Sequence, residues 1–363
     1  MRYALIMAGG SGTRLWPMSN KKQPKQLIPF IEGKSLLSVA HDRLEGLIPV
    51  DNRYICAGES HKGLIQASLN LPEERFLGEP IGRDTLNALG YSAAILYKED
   101  PEAVMAVFTS DHLIEPVDSF LSIVEKGFIT AEENPDTLVT FGIKPTEPAT
   151  GFGYLELGAS LSDEARIVSR FREKPDLATA TDFLKKGPSA YLWNSGMFVW
   201  RADTFLKCLE KFEPESYKSL MEIAGSWKTP AFEETRNRIF PELKKISVDF
   251  AVMEPASSDP DFKVASVPMP LTWLDIGSWP AYAETCPADG SGNRQGGGKA
   301  VMLDSRNNLT ASSDNDHLIT AIGCDDLIII HTPKATLVCP KDKAQEIKKL
   351  HGLVGESYGD EYL

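Results

Sequence analysis

The chain opens with Gly9-Gly10-Ser11-Gly12-Thr13-Arg14-Leu15, directly behind an apolar run of strand length at residues 3–7. Glycines in that position let backbone N–H groups close around phosphate oxygens with no Cβ in the way. Two familiar phosphate loops do not fit. A Walker loop needs Gly-Lys-Ser/Thr after four spacer residues, and none is present. The dinucleotide fingerprint GxGxxG starts at Gly10-x-Gly12 but meets Leu15 where its third glycine belongs. The next apolar run leaves through Cys56-Ala57-Gly58 without the acidic residue that binds a ribose, which argues against a nicotinamide-dependent oxidoreductase. Other residues suit phosphate chemistry. Lys25 follows Pro24, and Asp111 stands just past the apolar run 104–108, at the carboxyl end of an expected parallel strand. Open α/β sheets bind ligands at that edge. Glu173-Lys174 is a charge pair on a strand-to-loop exit before Pro175. The six histidines form no HxxxH or HExxH, and His112 reads as a packing or supporting neighbour of Asp111 rather than a base. No Ser-His-Asp set can be placed.

These residues need elements to position them. Residues 3–7, 54–57, 104–109 and 138–142 are short and nearly continuously apolar, as strands buried on both faces are. Between them lie helical patterns at 35–47, 84–99 (with Asp84 as N-cap) and 117–132. That alternation predicts an α/β fold with a doubly wound, mostly parallel sheet. Strands at 153–157, 166–172 and 192–201, interrupted by helices, are expected to build the rest of a cleft. Residues 287–298, PADGSGNRQGGG, read as a flexible linker. Beyond it, β-like runs at 301–303, 318–322, 327–331 and 335–339 precede a helix at 341–351. The expected domains are therefore residues 1–286, catalytic, and 287–363, small and β-rich. A length of 363 residues suits one large and one small core. A formal net charge of -13 disfavours nucleic acid or an anionic membrane as partner. Five scattered cysteines without a CxxC pair suggest reduced thiols in a cytoplasmic protein. No apolar run approaches a membrane span.

Read in order, the motifs resemble one family. After Gly9–Arg14 and Pro24-Lys25 come Glu79-Pro80-Ile81-Gly82-Arg83-Asp84-Thr85, Phe108-Thr109-Ser110-Asp111-His112 and Gly151-Phe152-Gly153-Tyr154. Phe171-Arg172-Glu173-Lys174-Pro175, Trp193-Asn194-Ser195-Gly196, Val248-Asp249-Phe250 and Trp273-Leu274-Asp275-Ile276-Gly277 follow. The set is similar to the NDP-sugar nucleotidyltransferases, and within them to the mannose-1-phosphate guanylyltransferases (GDP-mannose pyrophosphorylases), over about residues 1–285. The resemblance implies a Rossmann-like nucleotidyltransferase domain with a β-helix-like C-terminal domain. It also implies transfer of GMP from GTP to α-D-mannose 1-phosphate; the break near residue 287 and the short β runs after it lead us to expect a homodimer associated through the small domain.

Such a reaction brings two polyanions together, so catalysis is mostly positioning and charge stabilisation, to which Mg²⁺ is suited. On this resemblance Asp111 and Asp275 hold the metal, while Arg14 and Lys25 are catalytic through the phosphates. Gly9, Gly10, Gly12, Thr13, Glu79, Pro80, Arg83 and Ser110 bind the nucleotide. Gly153, Glu173, Lys174, Asn194 and Asp249 bind the sugar phosphate, although Asp249 fits a core or capping role almost as well. Met18, Phe152, Phe250 and Asp84 depart from the commonest family wording. Two alternatives stay open: the same reaction on another sugar 1-phosphate such as a heptose, and a non-catalytic regulatory homologue that binds an NDP-sugar.

Overall fold

A computed structural model describes residues 1–10 and 12–363; Ser11 of the glycine loop lies outside the described residues. The strands of the first part of the chain are β1 (Arg2–Met7), β2 (Arg53–Gly58), β3 (Phe76–Glu79), β4 (Val104–Thr109), β5 (His112–Glu115) and β6 (Thr137–Ile143). They continue with β7 (Tyr154–Ser160), β8 (Arg166–Arg172), β9 (Tyr191–Arg201), β10 (Lys263–Pro268) and β11 (Thr272–Asp275). Nine of them form one sheet in the order β3-β2-β1-β4-β9-β6-β10-β8-β7, and β5 pairs with β11 in a separate ladder. The first four are mutually parallel, and β9 runs antiparallel to both β4 and β6. The sheet is mixed, and it is parallel over β3, β2, β1 and β4, as the alternation of elements predicts. β1 and β4 pair in register from Arg2↔Val104 to Met7↔Thr109, so the glycine loop and Ser110-Asp111 leave from the same level of adjacent strands.

By compactness the chain divides into two units, each built from separate stretches. The first holds residues 1–9, 41–109 and 114–273. Its core sets strand residues such as Leu5, Met105 and Trp200 against helix residues such as Leu89, Phe205 and Leu209, all fully buried. The helix Asp84–Glu99 starts differently from expectation: Arg83 precedes it with no side-chain cap, and the Asp84 carboxylate accepts the Thr85 amide at 2.8 Å.

The second unit holds residues 10–40, 110–113 and 274–363. Here Arg294–Gly296, Leu309–Ser312 and Leu327–His331 stack in parallel, with Thr336–Pro340 added antiparallel. Lys299–Leu303 and Leu318–Ile322 pair in parallel as the alternate rungs of the same winding. Asn308, fully buried, holds the winding's corner: its amide donates to Asn293 Oδ1 at 3.0 Å and to the Cys324 carbonyl at 2.7 Å, and its Oδ1 accepts the Leu327 amide at 2.9 Å. Leu309, Ala311, Ile328 and Ile330 point into a core shared with Leu15, Trp16, Ile28, Phe30 and Trp279. The glycine-rich stretch expected to be a flexible linker is fixed at several points. Asp289 Oδ1 accepts the amides of Ser291 and Asn293 at 2.8 and 2.9 Å, and Arg294 donates to the Cys286 carbonyl at 2.7 Å. The last helical region is a tight turn, Lys341–Glu346, followed by a helix at Ile347–Tyr358. Among the described residues no helix is long and apolar enough to cross a membrane, and all five cysteines are free thiols.

Candidate active site

Within the second unit, the loop turns at Gly12, whose φ of 60° lies in the left-handed region that glycine adopts without strain. One tight turn follows, Thr13–Leu15, in which Leu15 is fully buried and Arg14 is exposed. The chain then returns through a second tight turn, Lys25–Leu27. A Cβ on Gly10 would stand 3.7 Å from Lys25 Cε, and one on Gly12 would stand 2.9 Å from Lys25 Cβ. The lysine therefore lies against the bare backbone of the loop, and its ammonium forms an ion pair with Asp111. Burial acts to raise the Asp111 carboxyl, and the Lys25 ammonium, helped by His112, overrides it; the group sits below the ordinary aspartate range and stays ionised.

Asp275, the last residue of β11, stands beside Asp111 because the Ile276 amide donates to the Asp111 carbonyl at 3.0 Å. Asp111, His112 and Asp275 each offer a ligand atom, all within 4.8 Å of one another. A Cβ on Gly277 would lie 3.1 Å from Asp275 Oδ1 and 3.2 Å from Arg14 Nη2, so carboxylate and guanidinium converge where a side chain is missing. The unit thus gathers Arg14, Lys25, Asp111 and Asp275, with Gly10, Gly12, Thr13 and the buried Ser110 beside them in the chain. Two carboxylates, one of them held ionised, suit a hard divalent cation that also takes phosphate oxygens and water. The sequence assigns Gly277 no role and His112 only that of a packing or supporting neighbour of Asp111. Adjacency to Asp111 was the one available signal for the histidine, and the requirement for space at Gly277 shows only in three dimensions.

The first unit holds the other predicted residues. Gly9 ends β1's exit, and Glu79 closes β3, followed by Pro80 and, at the entry to the helix Asp84–Glu99, Arg83. Burial raises the Glu79 carboxyl to about 7, opposed by a hydrogen bond from the Arg83 backbone. The same turn is tied down by Asn87, whose amide donates to the Arg83 and Lys244 carbonyls at 3.1 and 2.7 Å, and by Thr85 Oγ1, which accepts the Val248 amide at 2.9 Å.

Asp249 begins a wide π-helical turn, Asp249–Met253. Its Oδ1 accepts from Asn194 Nδ2 at 3.0 Å, and Asn194 Oδ1 lies 2.7 Å from Thr140 Oγ1, a buried partner the sequence did not suggest. Gly153 closes the group. Its carbonyl accepts the Asn194 amide at 2.8 Å, and a Cβ there would come within 2.7 Å of Glu173 Oε2. Glu173 is buried and pairs with the exposed Lys174. Burial, and then the Glu173 charge, push Asp249 up to about 7. Gly153, Glu173, Lys174, Asn194 and Asp249 are therefore one connected polar cluster.

Comparison with known proteins bears on the family and the fold. A family model described as "Nucleotidyl transferase" matches residues 3–291, and one described as "MannoseP isomerase/GMP-like beta-helix domain" matches residues 298–352. A mannose-1-phosphate guanylyltransferase of Escherichia coli is 34% identical over 369 residues, covering 100% of this chain and 76% of its own length. The xanthan biosynthesis protein XanB of Xanthomonas campestris pv. campestris is 34% identical over 350 residues, covering 95% of this chain and 72% of its own. A crystal structure from Thermus thermophilus, described as a mannose-1-phosphate geranyltransferase, superposes with a TM-score of 0.86 at 28% identity, covering 97% of this chain and 99% of that one. With a nucleotidyl transferase model spanning most of its length, and with relatives matched along nearly all of it, this chain belongs to the nucleotidyltransferase family of enzymes.

Proposed function

We propose that the chain transfers GMP from GTP to α-D-mannose 1-phosphate, giving GDP-mannose and pyrophosphate. The observation that carries the reading is the convergence of Arg14, Lys25, Asp111 and Asp275 behind the glycine loop, in a chain alike over its whole length to a guanylyltransferase of that sugar phosphate. In the reaction an oxygen of the sugar phosphate attacks the α-phosphorus of GTP, and the bond from that phosphorus to the bridging oxygen of pyrophosphate breaks. Arg14, a planar fork, receives the β- and γ-phosphates; Lys25 offers a point charge to the α-phosphate as negative charge develops there. Gly9, Gly10, Gly12 and Thr13 line the phosphates, while Glu79, Pro80, Arg83 and Ser110 take the nucleoside. Asn194, Asp249, Gly153 and Glu173 hold the sugar, and Lys174 its phosphate. Asp111 and Asp275 would hold Mg²⁺, which supplies charge neutralisation between the two phosphate groups.

The reading also includes a cytoplasmic homodimer. Val301, Leu303, Leu318 and Ile322 are 61%, 57%, 51% and 72% exposed on one face of the paired rungs in the C-terminal winding. Ile322→Lys should therefore lower the mass seen by light scattering, and an unchanged mass would reject that face as the contact. The activity itself is tested by pyrophosphate release with GTP, ATP, UTP and CTP against several sugar 1-phosphates, a heptose phosphate among them. Turnover with UTP or ATP equal to that with GTP removes the guanine assignment, and rejection of mannose 1-phosphate removes the sugar.

A further inference from the structure

Arg14 sits on a single tight turn, Thr13–Leu15, with no side-chain cap at its start. An exposed arginine there keeps its rotamer freedom unless something else holds it. Residues near the end of the chain provide the hold, within the same compact unit. Gln345 Oε1 accepts a hydrogen bond from Arg14 Nη1 at 3.4 Å. The residues flanking this contact are anchored on both sides. Ala344 and Ile347 are 3% and 2% exposed in the core that buries Leu15 and Trp16. The Trp16 indole N–H donates to the Tyr362 carbonyl at 2.7 Å, and the Trp16 carbonyl accepts from the Trp279 indole at 3.0 Å. Lys21 pairs with Asp360 at 2.6 Å. The guanidinium is thus met by the Gln345 amide through Nη1, while Nη2 faces the Cβ-free backbone of Gly277 beside Asp275.

The chemistry of Gln345 suits this task. A neutral amide oxygen can orient a guanidinium without cancelling its charge, whereas a carboxylate in the same place would pair with Arg14 and repel an arriving phosphate. We propose that Gln345 is a positioning residue for Arg14, and that the segment 345–362 is thereby a working part of the site for the nucleotide's phosphates. The proposal rests on the reading of Arg14 as a phosphate ligand.

The test uses the full chain and two probes. Inorganic tripolyphosphate, titrated calorimetrically, reports the phosphate site without reference to base or sugar; initial rates give KM for GTP and for mannose 1-phosphate separately. Gln345→Ala should weaken tripolyphosphate binding and raise the KM for GTP by roughly 2- to 10-fold, the range of one lost hydrogen bond, with the KM for the sugar phosphate unchanged. Gln345→Met, similar in length but lacking the acceptor, should match alanine, and Gln345→Glu should be worse than either. In an Arg14→Ala background, Gln345→Ala should add nothing. An equal penalty in that background, unchanged tripolyphosphate affinity, or parallel rises in both KM values would overturn the proposal. Gln345 is exposed, so a thermal melt close to that of the unaltered chain is expected of each single variant. If tripolyphosphate binding responds as described but GTP and mannose 1-phosphate are not turned over, the assigned activity fails while the positioning role stands.

Discussion

Asp111→Asn and Asp275→Asn each keep the shape of the side chain and remove one negative charge. Their ligand atoms lie within 4.8 Å of each other. At that separation Asp111 and Asp275 would together hold one Mg²⁺, which would supply charge neutralisation to the phosphates. Losing either charge removes several kcal/mol of charge compensation where the phosphates meet. Turnover should fall on the order of 10²–10³, equivalent to about 2.7–4 kcal/mol. Both variants should also need more Mg²⁺, which a magnesium titration of pyrophosphate release measures directly and calorimetry confirms without turnover. If both carboxylates act through one ion, the double variant should be scarcely worse than either single. The melts should differ slightly: Asp111→Asn leaves Lys25, whose side chain is 14% exposed, without its partner, whereas no ion pair is lost with Asp275 among the described residues. A fully multiplicative loss in the double variant, or unaltered magnesium dependence in either single, would show that the carboxylates do not share a metal.

Three further outcomes follow from the same geometry. Lys174→Ala should raise the KM for mannose 1-phosphate roughly 10- to 150-fold, the range for a charge-assisted hydrogen bond, and leave that for GTP nearly unchanged; the opposite pattern would place the lysine elsewhere. Gly277→Ala puts a methyl 3.1 Å from Asp275 Oδ1 and 3.2 Å from Arg14 Nη2, and should cut kcat/KM for GTP about tenfold; undiminished kinetics would mean that neither group needs its present place. Asp249 is held up to about 7 by burial and by Glu173, so the folded state keeps its proton longer than the unfolded chain. Its stabilising contribution is complete below the ordinary aspartate range and lost as pH rises through about 7. Melting temperature should decline from about pH 4 to about pH 7, and Asp249→Asn should flatten the decline, with Glu79, also near 7, keeping a residual slope. An identical slope in the variant would refute the assignment.

Much of the scaffold was legible because burial on both faces writes itself as continuous apolar sequence. β1, β4 and β6 are such runs, and Asp111 could be placed at a carboxyl edge for that reason. β3, Phe-Leu-Gly-Glu, escaped notice: four residues with a glycine and an acid give no periodicity, yet all four are buried. β11 escaped too, since Thr272–Asp275 is only partly buried and its partner β5 lies far away in the chain. The C-terminal winding was harder still. Leu309–Ser312 is a fully buried strand that is half polar, and Asn293 and Asn308 are buried side chains whose partners are backbone groups of neighbouring turns. Residue type marks such asparagines as loop formers, and only the stacked turns reveal them as structural. Similarly, no local pattern announces that Gln345 meets Arg14, because both are ordinary exposed residues until the chain closes on itself.

The charges explain why these stretches are gathered. Arg14 and Lys25 balance Asp111 and Asp275, so the four groups are together neutral, in a chain whose formal net charge is -13. A neutral cluster on an acidic protein has little to draw a triphosphate and a sugar phosphate towards each other. On the proposed reading, one divalent cation shared by the two carboxylates would turn that local sum to plus two and leave both basic side chains to the phosphates. Affinity for the metal and for the nucleotide must then rise together, each raising the other by the same factor. Such coupling is useful only if the four groups are already in place when the ions arrive, because preorganised charges need no reorganisation at the moment of reaction. The surrounding core provides this. Leu15, Ile276 and Trp279, each fully buried, fix the turn that carries Arg14 and the segment that carries Asp275. The C-terminal winding supplies the rest of that core, which gives the four charged groups a foundation the glycine loop alone could not provide.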